Sequence, residues 1–128
     1  MTPLTREWVR KAEGDLGHVD LAASGDKRLY DGLCFHCQQA AEKYLKALLQ
    51  EAGLPIPKTH NLLTLQTLLL PLHPGLKPLR RGLNFMTRFA VEIRYPGLSA
   101  TKRQAEACVR WVNRVRKACR TLLGLKSP

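Results

Sequence analysis

Between Leu33 and Leu48 the apolar residues Leu33, Cys37, Ala40, Ala41, Tyr44, Leu45 and Leu48 fall on one face of a helix at 100° per residue. Such a helix is stable in water only when that face is covered, so the stripe dictates packing against further elements. The segment is not a plain core filler. Phe35-His36-Cys37-Gln38-Gln39-Ala40-Ala41-Glu42-Lys43-Tyr44-Leu45-Lys46-Ala47-Leu48-Leu49 sets two adjacent glutamines, a histidine and a Glu-Lys pair into about two turns. His36, Gln39 and Lys43 line up beside the apolar face at spacings of three and four. Phe35 and Leu49 fall opposite that face, where two apolar side chains point to an oligomer contact.

The remaining chain also reads as helix. Helix one runs from about Thr5 to Ala23, with Trp8, Ala12, Leu16 and Val19 inward, Thr5 as its cap and Glu7 in its first turn. Ser24-Gly25-Asp26 ends it. Helix two spans about Leu29 to Glu51 and stops at Gly53, before the extended connector Leu54-Pro55-Ile56-Pro57. Thr59-His60-Asn61 starts a third helix, Leu62 to about Leu70, which Pro71 and Pro74 end. A fourth begins near Leu76 and ends by Tyr95, before Pro96, with Leu83, Met86, Phe89, Ala90 and Ile93 inward. Gly97 to Thr101 is a loop. The fifth, about Lys102 to Leu123, is two-faced: Cys108, Trp111, Val112, Val115, Cys119 and Leu122 on one arc, Arg103, Arg110, Arg114 and Lys117 on the other. No strand-like alternation of length occurs, so the expected class is all-α. The architecture is an up-and-down four-helix bundle with a short extra helix, in one domain over residues 1–128.

Charge narrows the partners. Residues 1–54 hold seven Lys/Arg against eight Asp/Glu, and residues 55–128 hold fourteen against two, so the net +11 belongs to the second half. Such a field draws polyanions: nucleic acid, nucleotide or an acidic protein. No apolar run approaches the roughly 20 residues that cross a bilayer, and Met1 to Trp8 lack a secretory layout, so a soluble cytoplasmic protein without membrane contact is expected. Cys34 and Cys37 have knuckle-like spacing, but Cys108 and Cys119 are too far apart to complete a metal set. The four cysteines therefore read as small buried hydrophobes, and no metal or cofactor is expected.

Candidate binding groups can be named from chemistry. The His36, Gln39, Lys43 row can bind a phosphate or a base edge, or can hydrogen-bond across a helix interface. His60 stands at a helix start, where unpaired N–H groups favour anions. Arg88 stands four residues before Glu92 and can pair with it. Arg94 suits the negative end of the fourth helix and can also fork a phosphate, and Tyr95 can stack on a base. The arc of Arg103, Arg110, Arg114 and Lys117 fits a phosphate backbone. Aromatics are 6% of the chain, too few for an extensive base-stacking platform. No Gly-rich phosphate loop and no nucleophile arrangement is present, so no catalytic residue is assigned.

Four pieces in order resemble prokaryotic HEPN-domain proteins. Trp8-Val9-Arg10-Lys11-Ala12-Glu13-Gly14-Asp15-Leu16 resembles the family's W-x-x-x-A-x-x-D-L opening, and Phe35-His36-x-x-Gln39-Ala40-x-Glu42-Lys43-x-Leu45-Lys46-Ala47 its central signature. Thr59-His60-Asn61-Leu62 resembles T-H-x-L, and Arg94-Tyr95-Pro96 resembles R-Y-P. The resemblance implies an all-α bundle that forms a homodimer or higher oligomer. It also implies a link to nucleotide or RNA, and a minimal nucleotidyltransferase as partner in a toxin–antitoxin-like module. Ribonuclease members use an R-x4–6-H motif. After Arg88 those positions hold Ile93, Arg94 and Tyr95; after Arg94 they hold Ser99, Ala100 and Thr101; no histidine follows His73. The leading expectation is thus a non-catalytic HEPN-type protein that binds nucleotide or RNA. The alternatives are a divergent ribonuclease toxin, with Arg88 or Arg94 acting beside His36 or His60, and a protein-interaction module whose cationic face docks an acidic partner.

Overall fold

The computed structural model describes residues 1–25 and 29–127, and among them every regular element is a helix. The order is α1 (Pro3–Ala23), α2 (Tyr30–Glu51), α3 (Leu62–Leu69), a 3₁₀ turn (Pro74–Leu79), α4 (Arg80–Glu92) and α5 (Lys102–Leu122). The all-α class and the bundle of four long helices with a short extra one are as expected from the apolar periodicity. Among the described residues no helix is long and apolar enough to cross a membrane.

The start of α1 lies earlier than expected. Thr2, not Thr5, is the cap: its Oγ1 accepts from the Thr5 N–H at 3.1 Å. Pro3 explains the shift, because proline at the first helical position wastes no donor and arrives with helical φ. Thr5 is instead buried and donates its hydroxyl to Glu51 Oε1 at 3.0 Å, tying the start of α1 to the end of α2. Asp26, the last residue of the expected helix stop, lies outside the described residues, as does Pro128.

α2 is the central element, with α1, α3, α4 and α5 all packed on it. From Leu33 to Leu49 it is buried on nearly every side. This overturns the expected exposure of Leu49, which is fully enclosed; Phe35 is half-buried. A seven-residue apolar stripe predicts one covered face. Four neighbours around one helix cover the others as well. At its end Gly53 takes φ +70°, and the N–H groups of Gly53 and Leu54 bond to the carbonyls of Gln50 and Leu49 at 3.1 and 3.0 Å. This left-handed stop satisfies the last carbonyls.

α4 starts at Arg80 rather than near Leu76. Pro78 lacks an N–H, and the preceding segment tightens into the 3₁₀ turn that ends at Leu79. Tyr95-Pro96-Gly97-Leu98 closes a tight turn, with Gly97 at φ +87° and the Leu98 N–H on the Tyr95 carbonyl at 3.2 Å. Asp31 Oδ1 then accepts from the Ala100 N–H at 2.6 Å, fastening this corner to the first turn of α2. Thr101 and Gln104 form a reciprocal capping box at the start of α5. All four cysteines are free and buried, and burial raises the Cys37 thiol and pushes that of Cys119 up to about 12. They behave as the small hydrophobes that their spacing predicts.

Candidate functional site

The polar row of α2 does not stand alone. Asp15, on the inner side of α1 and only 7% exposed, reaches it with both oxygens. Oδ1 meets His36 Nδ1 at 2.9 Å, and Oδ2 accepts from Lys43 Nζ at 2.5 Å. His36 and Lys43 are seven residues apart, two turns of one face, so a single carboxylate can span both. A carboxylate can only accept, so the His36 ring donates from Nδ1, and in its neutral form it leaves Nε2 with a lone pair. His18, on α1, stacks on the His36 ring with centroids 4.5 Å apart and planes 17° from parallel. Phe35 meets His36 edge-on at 5.6 Å, and the Arg94 guanidinium lies 5.5 Å from the Phe35 centroid.

Two shallow cavities flank Gly32 at this end of α2. One, of 260 Å³, is lined by His18, Leu21, Ala22, Leu29 and His36. The other, of 330 Å³, is lined by Asp31, Phe35, Ala90, Ile93 and Arg94. The row and the R-Y-P corner are therefore neighbours across Phe35. Tyr95 is 63% exposed, and Gln39 is half-buried between His36 and Lys43 in the row.

His60 joins a second cluster on another flank of α2. Its Nδ1 meets Glu42 Oε1 at 2.9 Å, and Glu42 Oε2 accepts from Lys46 Nζ at 2.9 Å. Gln38 Nε2 donates to the His60 carbonyl at 2.7 Å, pinning the backbone while the imidazole stays 83% exposed. Lys46 also sits 5.7 Å from the Trp8 ring centroid. Arg88 belongs to neither cluster. It is exposed on α4 and faces the start of α5. Among the described residues it forms no ion pair with Glu92, so the expected i,i+4 pair does not close although both side chains line one cavity. Arg103, Arg110, Arg114 and Lys117 are all exposed on α5, with Arg114 4.6 Å from the Trp111 ring centroid.

A third network joins α1, α2 and α5. Arg116 donates to both oxygens of Glu13 at 2.9 and 2.5 Å. The Tyr44 hydroxyl also donates to Glu13 and accepts from Arg120 at 3.2 Å. Burial pushes the Glu13 carboxyl up, but the Arg116 and Tyr44 hydrogen bonds outweigh it and hold it below the usual range. Burial first, and then the Glu13 hydrogen bond, push the Tyr44 phenol up to about 12.

The organising carboxylates Asp15, Glu42 and Glu13 were not singled out as site residues from the sequence. A signal existed for two of them. Asp15 interrupts the inward series Ala12, Leu16, Val19, and Glu42 stands beside Ala41 and Leu45 in the covered stripe. A charge on a buried stripe needs a partner.

The family description "HEPN domain" matches residues 5–122, from the first turns of α1 to the last residue of α5. No curated protein and no solved structure matches the chain. The match spans nearly the whole bundle, including the row on α2, the start of α3 and the R-Y-P corner: the chain belongs to the HEPN-domain family.

Proposed function

We propose that this HEPN domain binds nucleotide or RNA without cleaving it. In this reading it works in the cytoplasm as a homodimer or higher oligomer, beside a minimal nucleotidyltransferase in a toxin–antitoxin-like pair. The observation that carries the reading is the state of the cations. Of the fourteen Lys/Arg after residue 54, Arg80, Arg116 and Arg120 are tied by hydrogen bonds to Gln66, Glu13 and Tyr44. The other eleven are exposed, against two carboxylates in the same stretch. Free surface cations held on a rigid scaffold suit phosphates. His36 Nε2 and Gln39 supply the polar edges that a base or ribose needs, with Arg94 and Lys43 for phosphate, Tyr95 for stacking, and His60 and Arg88 as outlying contacts.

The direct test titrates ATP and short RNA oligomers at low salt. Binding that weakens in Arg94→Ala and Lys43→Ala supports the reading. Absence of binding in the unaltered protein removes it.

One observation favours a second reading, a divergent ribonuclease. The Asp15–His36 bond orients an imidazole as a general base would be oriented. RNA fragmentation by the purified protein, abolished in His36→Ala, would establish it. Docking of an acidic protein on the cationic face is the third reading, which co-purification that survives nuclease treatment would favour.

A further inference from the structure

A different cavity carries chemistry that the α2 row does not use. On α4, Arg81, Asn84, Phe85 and Arg88 follow one another at steps of three, one and three residues and share one helix face. They line a 330 Å³ cavity with Phe89, Glu92 and, from α5, Gln104. Phe85 and Phe89 stack in parallel, with centroids 5.6 Å apart and planes 6° apart. Phe89 is buried, whereas Phe85 is only half-buried and lines the cavity. The cavity thus holds a planar apolar floor, two carboxamides, two exposed guanidinium groups and one carboxylate. Beside it, the Trp111 ring lies against Gly82 and carries Arg114 over its face.

We infer that this α4–α5 cavity is a subsite for one base of a single-stranded nucleic acid. The inference rests on the nucleic-acid reading above and places part of it on a surface other than the α2 row. A base laid against the Phe85 ring in the cavity extends the existing stack. Asn84 and Gln104 offer donors and acceptors to its edge; Gln104 Oε1 already accepts from the Thr101 N–H, so its amide N–H groups remain to donate. Glu92 accepts from an exocyclic base amine. Arg81 and Arg88 hold the flanking phosphates, and Arg114 continues the cationic path. One such subsite is compatible with an aromatic content too low for a long platform. An acidic peptide would match the charge but would leave the ring floor and the carboxamides unused.

The test is anisotropy with two labelled octamers at low salt: oligoadenylate, and an abasic octamer with the same number of phosphates. The unaltered protein should bind oligoadenylate roughly tenfold more tightly, since stacking of one base contributes about that much. Phe85→Leu, which keeps an apolar side chain, should shrink the difference several-fold while leaving the abasic octamer unchanged, and an undiminished difference overturns the subsite. Arg88→Ala, at an exposed position, should weaken both octamers alike and lower the salt slope by about 0.7. Equal affinity of the unaltered protein for both octamers overturns the subsite while leaving general RNA binding standing, and that comparison needs no variant. A Phe85→Leu effect of equal size on both octamers also overturns it. Binding of neither octamer, or binding of polyglutamate alone, removes the nucleic-acid reading together with the subsite.

Discussion

Asp15 shows how one residue holds the polar row. It is nearly buried and serves the His36 imidazole and the Lys43 ammonium, each about a quarter exposed. Asp15→Asn keeps the shape but removes the charge, and His36 and Lys43 can then rehydrate. The expected cost is about 1–3 kcal/mol, the range for a buried hydrogen-bonded group left short of a partner. Urea denaturation checks this, and a drop below 0.5 kcal/mol would mean that the row needs no organiser. Tyr44 makes a pH prediction. Its folded phenol is raised to about 12 from an ordinary 10, so the fold favours the protonated form. That contribution is complete below pH 10 and is lost as pH rises toward 12. Tyr44→Phe should flatten the fall in stability over this window, as followed by helix signal against denaturant. Glu13 runs the other way. Its carboxyl is lowered, so its contribution is present above the ordinary carboxylate range and is lost as acid protonates the folded group.

At the scale of elements, the contact of α4 with α5 depends on one missing side chain. A Cβ built on Gly82 would stand 2.0 Å from the Trp111 ring. Alanine at a helix interior is worth about 1 kcal/mol over glycine, but overpacking costs about 1–3 kcal/mol and forces the ring to move. Gly82→Ala should therefore be net destabilising, or neutral at best, with a shift in tryptophan emission; a stabilised variant with unchanged emission would contradict the packing. The helix ends were largely legible in sequence. Gly53, Pro96 and Thr101 act where their backbone chemistry places them. The exceptions were prolines. Pro3 let Thr2 take over the cap, and Pro78 turned the expected first turn of α4 into a 3₁₀ segment. Both departures follow from the missing N–H.

For the whole molecule, charge separation survives folding. In the first half Asp15, Glu42 and Glu13 bind cations between helices or against the core, while most cations of the second half stay in solvent. Replacing Arg103, Arg110, Arg114 and Lys117 together by alanine should weaken binding of single-stranded RNA at low salt. The slope of log affinity against log salt should fall by about 0.7 for each side chain that neutralises a phosphate. Measurement at several salt concentrations checks this, and an unchanged slope would remove α5 from the interface. These side chains are exposed, so the helix content should not change.

The sequence by itself determined the class, the count of long helices and the sign of the field. Those follow from periodicity, from Gly and Pro, and from charge, all of which act locally or sum over the chain. It also placed His36, Gln39 and Lys43 in one row, because spacing on a helix is fixed. Only the tertiary structure decided what the row meets. Packing four elements around α2 brought Asp15 onto both His36 and Lys43, put Arg94 over Phe35, and sent Arg88 to another face beside Phe85 and Gln104. A helix's own period states which side chains share a face, whereas the partner on the other side comes from a distant part of the chain, and only packing selects it.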